Sequence, residues 1–269
     1  MRLGLSSYTY TWAVGVPGHP PASPLSALGL VDRAAEAGLT CVQIADNLPL
    51  DRLTLVEANT LRTHAAARGV AIELGARGLT PERLAAHLDL AVSFNSPILR
   101  FVIDGPGYEP TPDEVVAVIR GGLPQLGEAG VRLALENHDR LEAGTFREIV
   151  RATDEGQVGI CLDSVNSMGA GEGLAEVVAT LAPLTINLHL KDFTIERVSH
   201  KIGFVVEGAP AGQGRLRIPW LLDEVGRHGR CQSAILELWT PPADSIEATI
   251  EREAAWADES LRFLKPLFA

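Results

Sequence analysis

Residues 131–163 read VRLALENHDRLEAGTFREIVRATDEGQVGICLD and contain one complete strand–helix–strand unit. The apolar runs 131–135 and 158–162 have the length and composition of buried strands, and residues 144–154 between them show helical spacing. Gly156 follows this helix, at the place where a glycine commonly ends a helix before the next strand. A strand, a helix and a second strand in this order predict a right-handed unit with two parallel strands.

The same unit recurs along the whole chain. Apolar runs predict eight strands, at 3–6, 40–44, 70–74, 98–103, 131–135, 158–162, 185–188 and 234–238. Helical spacing predicts helices at 25–37, 51–68, 144–154, 172–181, 218–228 and 244–265, and Thr80-Pro81 and Thr111-Pro112 predict the starts of two more. Eight such units in 269 residues indicate an α/β fold, a (β/α)8 TIM barrel that forms one domain over residues 1–269.

The structural alternative is a doubly wound parallel sheet, which usually has a glycine-rich phosphate loop after its first strand. Residues 6–12 read SSYTYTW instead, without G-x-G-x-x-G, so the closed barrel is favoured. Two connections, residues 8–23 and 192–217, are unusually long. In a barrel both would leave the C-terminal ends of strands, where active sites lie, so we expect functional lids or disordered segments there.

The composition excludes several classes of protein. Lys plus Arg number 23 and Asp plus Glu number 34, and the net charge of −11 opposes binding to nucleic acids and to anionic membranes. No apolar stretch approaches the roughly 18 residues of a membrane helix, and the first residues lack the features of a signal peptide, so we expect a cytoplasmic protein. Cys41, Cys161 and Cys231 form no C-x-x-C pair and are expected to be buried thiols, neither zinc ligands nor disulfides.

Ionisable residues end four consecutive predicted strands: Glu136, Asp163, His189 and Glu237. Strands of a parallel barrel end at one rim, so these side chains are expected to converge, and burying three carboxylates requires a compensating charge. One divalent metal ion would supply it, and the mostly oxygen donors favour Mn²⁺, with Mg²⁺, Co²⁺ or Zn²⁺ as alternatives. A single glutamate at the end of a strand is more often the partner of an ion pair, and a single histidine there is more often structural. Four consecutive strands that each end in a possible ligand favour the metal site.

Five short motifs carry a resemblance to a known family. They are Leu135-Glu136-Asn137, Leu162-Asp163-Ser164-Val165-Asn166, His189-Leu190-Lys191-Asp192, Gly212-Gln213-Gly214 and Leu236-Glu237. In this order and spacing, the chain resembles the xylose isomerase-like barrels, the sugar phosphate isomerase/epimerase superfamily. The resemblance implies that Glu136, Asp163, His189 and Glu237 bind one divalent metal ion. It also implies that Glu136 and Glu237 are the acid/base pair, as in the ketose epimerases of this family.

The chain departs from those ketose epimerases at two positions. Asn166 stands three residues after the metal-binding aspartate, where they have a histidine. Ile195 stands where an arginine is expected, and Arg197 is the nearest candidate. Both differences argue against an epimerase of free ketoses. The apurinic endonucleases of the family need further histidine ligands for three metal ions, and the sequence offers no full set.

The predicted chemistry is metal-assisted proton transfer, because a metal chelated by a carbonyl oxygen and a neighbouring hydroxyl stabilises an enediolate. The first hypothesis is an isomerase or epimerase of a small keto sugar or keto sugar acid, in which one glutamate removes a proton and another returns it. The alternative is a lyase, either a decarboxylase of a 3-oxo sugar acid such as 3-oxo-isoapionate or a β-eliminase of a 3-keto sugar. A non-catalytic metal- or sugar-binding protein is the third hypothesis.

Six residues are predicted to contact the small-molecule substrate: His138, Asn166, Lys191, Arg197, Arg100 and Gln43. Lys191 lies two residues after His189 and so faces the same side of its strand, where Lys191 and Arg197 could hold a carboxylate. The alternatives are a solvated charge for Arg197, and pairing with Asp192 or Glu237 for Lys191. The C-terminal segment 256–268 is expected to close the last helix on the barrel and offers a contact for a homo-oligomer.

Overall fold

Eight parallel strands close into a barrel in the computed structural model, which describes residues 1–269. In chain order the strands are β1 (Arg2–Ser6), β2 (Cys41–Ile44), β3 (Ala71–Arg77), β4 (Ile98–Val102), β5 (Arg132–Glu136), β6 (Val158–Asp163), β7 (Thr185–Leu190), the hairpin strands β8 (Asp192–Arg197) and β9 (Phe204–Ala209), and β10 (Ser233–Leu236). The order around the barrel is β1-β10-β7-β6-β5-β4-β3-β2, so the last strand pairs with the first. The single-domain (β/α)8 TIM barrel is confirmed, and every predicted strand is present with its ends displaced by at most three residues.

Helices cover the outside of this barrel. They are α1 (Thr11–Val14), α2 (Ala27–Glu36), α3 (Leu55–Ala67), α4 (Pro81–Ser93), α5 (Pro112–Ala129), α6 (Ala143–Arg151), α7 (Leu174–Leu181), α8 (Ile218–Gly226) and α9 (Ile246–Leu264). Helices α4 and α5 begin where the Thr-Pro pairs predicted. The Thr80 and Thr111 hydroxyls accept hydrogen bonds from backbone N–H groups of the first turn, and each proline occupies a position whose N–H would have no partner.

The two long connections contain secondary structure that the sequence pattern does not predict. Residues 8–23 include the short helix α1, and residues 192–217 include the antiparallel pair β8–β9, which forms a sheet separate from the barrel. The prediction of a lid or a disordered segment therefore missed a β-hairpin. The apolar run Phe204-Val205-Val206 is shorter than the runs that predict the barrel strands, so the sequence pattern alone does not predict a strand there.

The G-x-G motif wraps around a buried carboxylate at the base of this hairpin. The Asp192 carboxylate accepts hydrogen bonds from the backbone N–H groups of Phe193, Gly212, Gly214 and Leu216, at 2.8 to 3.0 Å. A Cβ atom at Gly214 would stand only 2.1 Å from an Asp192 oxygen, so no side chain fits there. Asp192 is therefore a structural anchor and does not pair with Lys191, the residue that precedes it.

The main core lies between the barrel and the helices, as a cluster of 58 buried apolar residues. Cys41 and Cys161 are buried, Cys231 is half-buried, and none is in a disulfide, as predicted except for the partial exposure of Cys231. None of the helices combines the length and apolar character needed to cross a membrane. Buried polar side chains lie in both halves of the barrel: Glu73, Asn187 and Ser233 hydrogen-bond to one another in the first halves of their strands, and a second group lies where the strands end.

Candidate metal centre

The structure brings the four predicted ligands together. Glu136, Asp163 and His189 lie at or near the ends of β5, β6 and β7, and Glu237 directly follows β10. All four side chains are buried. In each of them one polar atom forms no hydrogen bond of acceptable geometry: Glu136 Oε2, Asp163 Oδ2, His189 Nδ1 and Glu237 Oε2. Three of these atoms, the carboxylate oxygens, contact Arg100 or Lys191. The cluster is therefore a group of possible metal ligands whose negative charge is already partly offset by the chain.

The spacing of these donors fits a small divalent ion. His189 Nδ1 lies 3.7 Å from Glu136 Oε2, 3.7 Å from Asp163 Oδ2 and 3.5 Å from Glu237 Oε1. Donors that bind one ion at about 2.1 Å stand about 3 to 3.5 Å apart, so a small inward movement would bring them into coordination. Oxygen and imidazole donors of this kind suit Mn²⁺, Mg²⁺, Co²⁺ or Zn²⁺.

Gln43 controls which nitrogen of His189 faces the site. Its Oε1 lies 2.7 Å from His189 Nε2 and can accept a hydrogen bond from it, which turns Nδ1 towards the carboxylates. Burial opposes a charge on the imidazole, but the neighbouring Glu237 and Glu136 raise the pKa of His189 well above its usual value, so a proton on Nδ1 would have to leave before this atom could bind a metal ion. The Gln43 amide is itself held, because Nε2 donates to Asn187 Oδ1 at 3.0 Å. Gln43 was predicted to contact substrate. In the structure its side chain is completely buried and contacts His189.

Two cations of the chain offset part of the carboxylate charge. The Arg100 guanidinium contacts Glu136 Oε2, and it also donates to Asp46 at 3.3 Å. Lys191 Nζ lies 2.8 Å from Asp163 Oδ2 and 2.9 Å from Glu237 Oε2. The pairing of Lys191 with Glu237, one of the alternatives open from the sequence, is therefore present in the structure. In the structure Arg100 and Lys191 between them contact all three carboxylates, and Arg100 is shared with Asp46.

These charges also shift the proton affinities of the site. Burial by itself would raise the pKa of Glu136, but the neighbouring Arg100 and His189 outweigh it and hold that pKa well below its usual range. Burial opposes the charge of Lys191, yet Asp163 and Glu237 raise its pKa above the usual value. The pKa of Asp163 is lowered to about 2, because Lys191 and His189 outweigh its burial. Glu136, Asp163 and Lys191 are therefore charged near neutral pH.

Several neighbouring residues hold the ligands in place. Asn166 Nδ2 donates to Glu136 Oε1 at 2.9 Å, and Ser6 Oγ donates to Glu237 Oε1 at 2.9 Å. Asn137 Oδ1 accepts the backbone N–H of Asp163 at 2.7 Å. The roles of Ser6 and Asn137 were not predicted. The signal was available, because Ser6 ends the first strand and Asn137 follows Glu136, but polar residues at strand ends are too common to be specific.

The other predicted substrate contacts fall into three places. His138, Asn166 and Lys191 line one cleft at the C-terminal end of the barrel. Arg100 is buried among Glu136, Asp46 and the Tyr8 ring, below the open part of this face. Arg197 lies at the distal end of the β8–β9 hairpin, where its guanidinium stacks on Phe204 and donates to the Lys201 carbonyl. The structure does not bring Arg197 to the other five residues.

A second cleft at this face has aromatic walls. It has a volume of about 510 Å³ and is lined by Tyr8, Trp12 and Trp239, with Lys191 and the hairpin residue Val206. That volume accommodates a small organic molecule. Because Lys191 lines both clefts, it is the charged side chain that connects the open face to the buried carboxylates.

Cys161 also lies close to Glu136 and His189, within the distance of a shared metal site. Its thiol donates to Asn187 Oδ1 at 3.0 Å, and burial raises the pKa of this thiol to about 11. Metals bind the thiolate, so a protonated thiol with its own acceptor is a poor ligand. Asp163 and Glu237 remain the better partners for His189.

Comparisons with known proteins agree with this architecture. A family model described as "Xylose isomerase-like TIM barrel" matches residues 31–267. The chain is 32% identical over 266 residues, 98% of its length and 95% of the relative's, to a 3-oxo-isoapionate decarboxylase of Pectobacterium atrosepticum. Two solved structures share the fold at 16% identity. One is a xylose isomerase-like TIM barrel protein of Mycobacterium smegmatis in complex with magnesium, with a TM-score of 0.70 and 97% of each chain covered. The other is a D-psicose 3-epimerase of Clostridium cellulolyticum with D-tagatose, with a TM-score of 0.69, which covers 98% of this chain and 99% of the epimerase.

Proposed function

The chain belongs to the xylose isomerase-like TIM barrel family, and from that premise we propose that it is a divalent-metal-dependent lyase that decarboxylates a small 3-oxo sugar acid. The observation that carries this proposal is Lys191, whose side chain lines both open clefts while its ammonium group lies 2.8 Å from Asp163 and 2.9 Å from Glu237. An ammonium group forms a charge-assisted hydrogen bond with the carboxylate of a sugar acid, whereas a neutral sugar offers it no opposite charge. The similarity to a 3-oxo-isoapionate decarboxylase over nearly the whole chain favours the same reaction class.

The reaction needs a group that accepts electrons from the breaking carbon–carbon bond. When a 3-oxo acid loses CO₂, the bonding pair moves into the neighbouring carbonyl and gives an enolate, which then takes one proton at carbon. Glu136, Asp163, His189 and Glu237 would hold a divalent ion, which supplies Lewis acid chemistry for a carbonyl oxygen. Lys191 binds the acid, and the aromatic walls of Tyr8, Trp12 and Trp239 limit the access of water.

Isomerisation or epimerisation, the first hypothesis from the sequence, is the second candidate. The observation in its favour is that both glutamates, Glu136 and Glu237, lie within 3.7 Å of His189 Nδ1 in one site. However, Arg100 and Asn166 each contact an oxygen of Glu136. A carboxylate stabilised in its charged form is a weak proton acceptor, which disfavours a reaction that depends on two acid/base groups.

The test is a panel of 3-oxo sugar acids and neutral keto sugars, incubated with the Mn²⁺-loaded protein in D₂O and followed by NMR. We expect CO₂ release from an oxo acid, with one deuterium placed on the product carbon. Lys191→Met should lose this turnover by at least ~100-fold, whereas Lys191→Arg, which keeps the charge, should lose less. Deuterium exchange into a neutral keto sugar without CO₂ release would support the isomerase instead, and no reaction with any compound would support a binding protein.

A further inference from the structure

Helix α1 begins without a capping side chain of its own. Its N-cap residue, Tyr10, forms no side-chain hydrogen bond, although the first N–H groups of a helix have no partner within the helix. Two of these groups, those of Trp12 and Ala13, donate instead to the two carboxylate oxygens of Glu253, each at 3.0 Å. Glu253 lies on α9, so the last helix of the chain supplies the cap of the first.

The carboxylate that forms this cap is buried inside the protein. Glu253 is fully shielded from solvent, and burial raises its pKa to about 7, although its two hydrogen bonds and Arg33 of α2 act in the opposite direction. Helix α1 carries no ionisable side chain, and the turn before it carries Tyr8 and Tyr10. Arg33 stacks on the Tyr10 ring at 4.4 Å, and Asp258 of α9 adds a negative charge near the same ring. These surroundings leave the charge of Glu253 only partly compensated.

Trp12, which the cap holds, is one wall of the aromatic cleft, the cleft of about 510 Å³ that Tyr8 and Trp239 also line. The indole Nε1 donates to the Thr240 carbonyl oxygen at 2.8 Å, so Trp12 is held at its ring by the segment after β10 and at its backbone by α9. Helix α1 has only four residues, and one helical turn is not stable by itself in water. The place of the Trp12 ring in the wall therefore depends on contacts from outside the helix.

We propose that Glu253 is a positioning residue for the aromatic cleft, because its carboxylate holds the backbone of α1 and, through it, the Trp12 ring in the cleft wall. When this carboxylate takes up a proton, the oxygen that carries the proton becomes a poorer acceptor for an N–H group. The wall is then held less firmly, so the cleft binds its ligand less tightly below about pH 7 than above it. Only the choice of substrate in the kinetic test depends on the proposed function.

Backbone and indole NMR signals test this role without a substrate. From about pH 5 to about pH 9 the amide signals of Trp12 and Ala13 should shift together with a midpoint near pH 7, because both hydrogen bonds change when Glu253 loses its proton. The indole N–H signal of Trp12 should shift with the same midpoint. In Glu253→Gln, which has one oxygen acceptor and no titrating group, these shifts should be absent.

Two variants control for other titrating groups. Glu251→Gln, at an exposed glutamate of the same helix, should show the same shifts as the unmodified protein. His19 lies against the indole of Trp12, with the two ring centres 6.0 Å apart, and histidines commonly change charge near neutral pH. The shifts should persist in His19→Gln, because they originate from Glu253, and their loss there would overturn this role.

The kinetic test uses the Mn²⁺-loaded protein and the 3-oxo sugar acid that releases CO₂ in the panel. At about pH 8, Glu253→Gln should raise the KM about 10-fold and keep kcat within about 3-fold, because one hydrogen bond of the cap is lost and no residue of the metal centre changes. In the unmodified protein the KM should rise as the pH falls through about 7, and this rise should be smaller in Glu253→Gln.

Amide signals of Trp12 and Ala13 that stay constant with pH, or that titrate equally in Glu253→Gln, would overturn the proposal. An indole signal that stays constant while the amides titrate would also overturn it, because the cap would then not reach the cleft wall. An unchanged KM in Glu253→Gln would have the same meaning. Failure of the proposed function is seen separately, as absence of CO₂ release in the panel, and it leaves the NMR titration in place.

Discussion

Replacing Gln43 by leucine should weaken metal binding without touching any metal ligand. In the structure His189 Nε2 donates to Gln43 Oε1 at 2.7 Å, at a site where both residues are fully buried. Leucine cannot accept this hydrogen bond, so the imidazole either leaves an N–H unsatisfied or moves its proton to Nδ1, the atom needed for the metal. The other contacts of the Gln43 amide matter less, because Asn187 Oδ1 still accepts a hydrogen bond from Cys161 Sγ.

The size of the effect follows from that single lost acceptor. An unsatisfied buried donor costs about 1 to 3 kcal/mol, and losing the outer partner of a metal-binding histidine typically lowers affinity about 10- to 100-fold. We therefore expect the dissociation constant for Mn²⁺ to rise by about that factor in Gln43→Leu. Calorimetric titration of chelator-treated protein measures it. The control is Gln125→Leu, at an exposed glutamine of α5.

Thermal unfolding in chelator separates this effect from a general loss of stability. If Gln43→Leu remains folded and binds Mn²⁺ as tightly as the unmodified protein, Gln43 does not set the His189 tautomer. The assignment of Nδ1 as the metal-facing atom would then be wrong. An equal loss of affinity in Gln125→Leu would show that the effect is not specific to the site.

Three further predictions concern stability. Lys191→Met should destabilise chelator-treated protein by up to about 3 kcal/mol, because Asp163 and Glu237 lose their cation. Mn²⁺ should then raise the melting temperature of the variant more than that of the unmodified protein. An equal rise in both proteins would contradict the role of Lys191 as a compensating charge. Asp192→Asn should lower the free energy of unfolding, measured in urea, by about 3 kcal/mol. The reason is that one amide oxygen cannot replace a carboxylate that accepts hydrogen bonds from four backbone N–H groups. A loss below about 0.5 kcal/mol would show that these hydrogen bonds contribute little to stability. Burial raises the pKa of Glu253 to about 7, although the Glu253 carboxylate accepts hydrogen bonds from the N–H groups of Trp12 and Ala13. Between pH about 4.5 and 7 the folded state therefore keeps a proton that the unfolded state has lost. The free energy of unfolding should fall as the pH rises through this range. The decrease in melting temperature from pH 5 to pH 8 should be smaller in Glu253→Gln, and an unchanged decrease would place the titrating group elsewhere.

The convergence of the four ligands could be predicted from the sequence because it depends only on topology. In a parallel barrel every strand ends at the same rim, so Glu136, Asp163, His189 and Glu237 meet once the strands are correctly placed. The partners of these ligands could not be predicted in the same way. Gln43 and His189 are 146 residues apart, on strands that are not neighbours in the barrel, and their contact depends on the tilt and stagger of the strands.

Charge compensation was predicted only in part, for a related reason. The sequence indicates that buried carboxylates need positive charge, but a metal ion, Arg100 and Lys191 are equivalent at that level of argument. Which carboxylate each cation reaches depends on side-chain conformation inside a packed site. The hairpin could not be predicted because the apolar run of β9, Phe204-Val205-Val206, is shorter than those of the barrel strands.

Divalent metal binding to the four-residue site is the most direct test of the proposed metal centre. Calorimetric titration of chelator-treated protein with Mn²⁺, together with elemental analysis of protein purified without chelator, gives the number of ions for each chain. We predict one ion for each chain of the unmodified protein and at least ~100-fold weaker binding in Asp163→Asn, which keeps the shape of the side chain and removes one ligand charge. Absence of binding to the unmodified protein, or equal binding by Asp163→Asn, would contradict the metal centre.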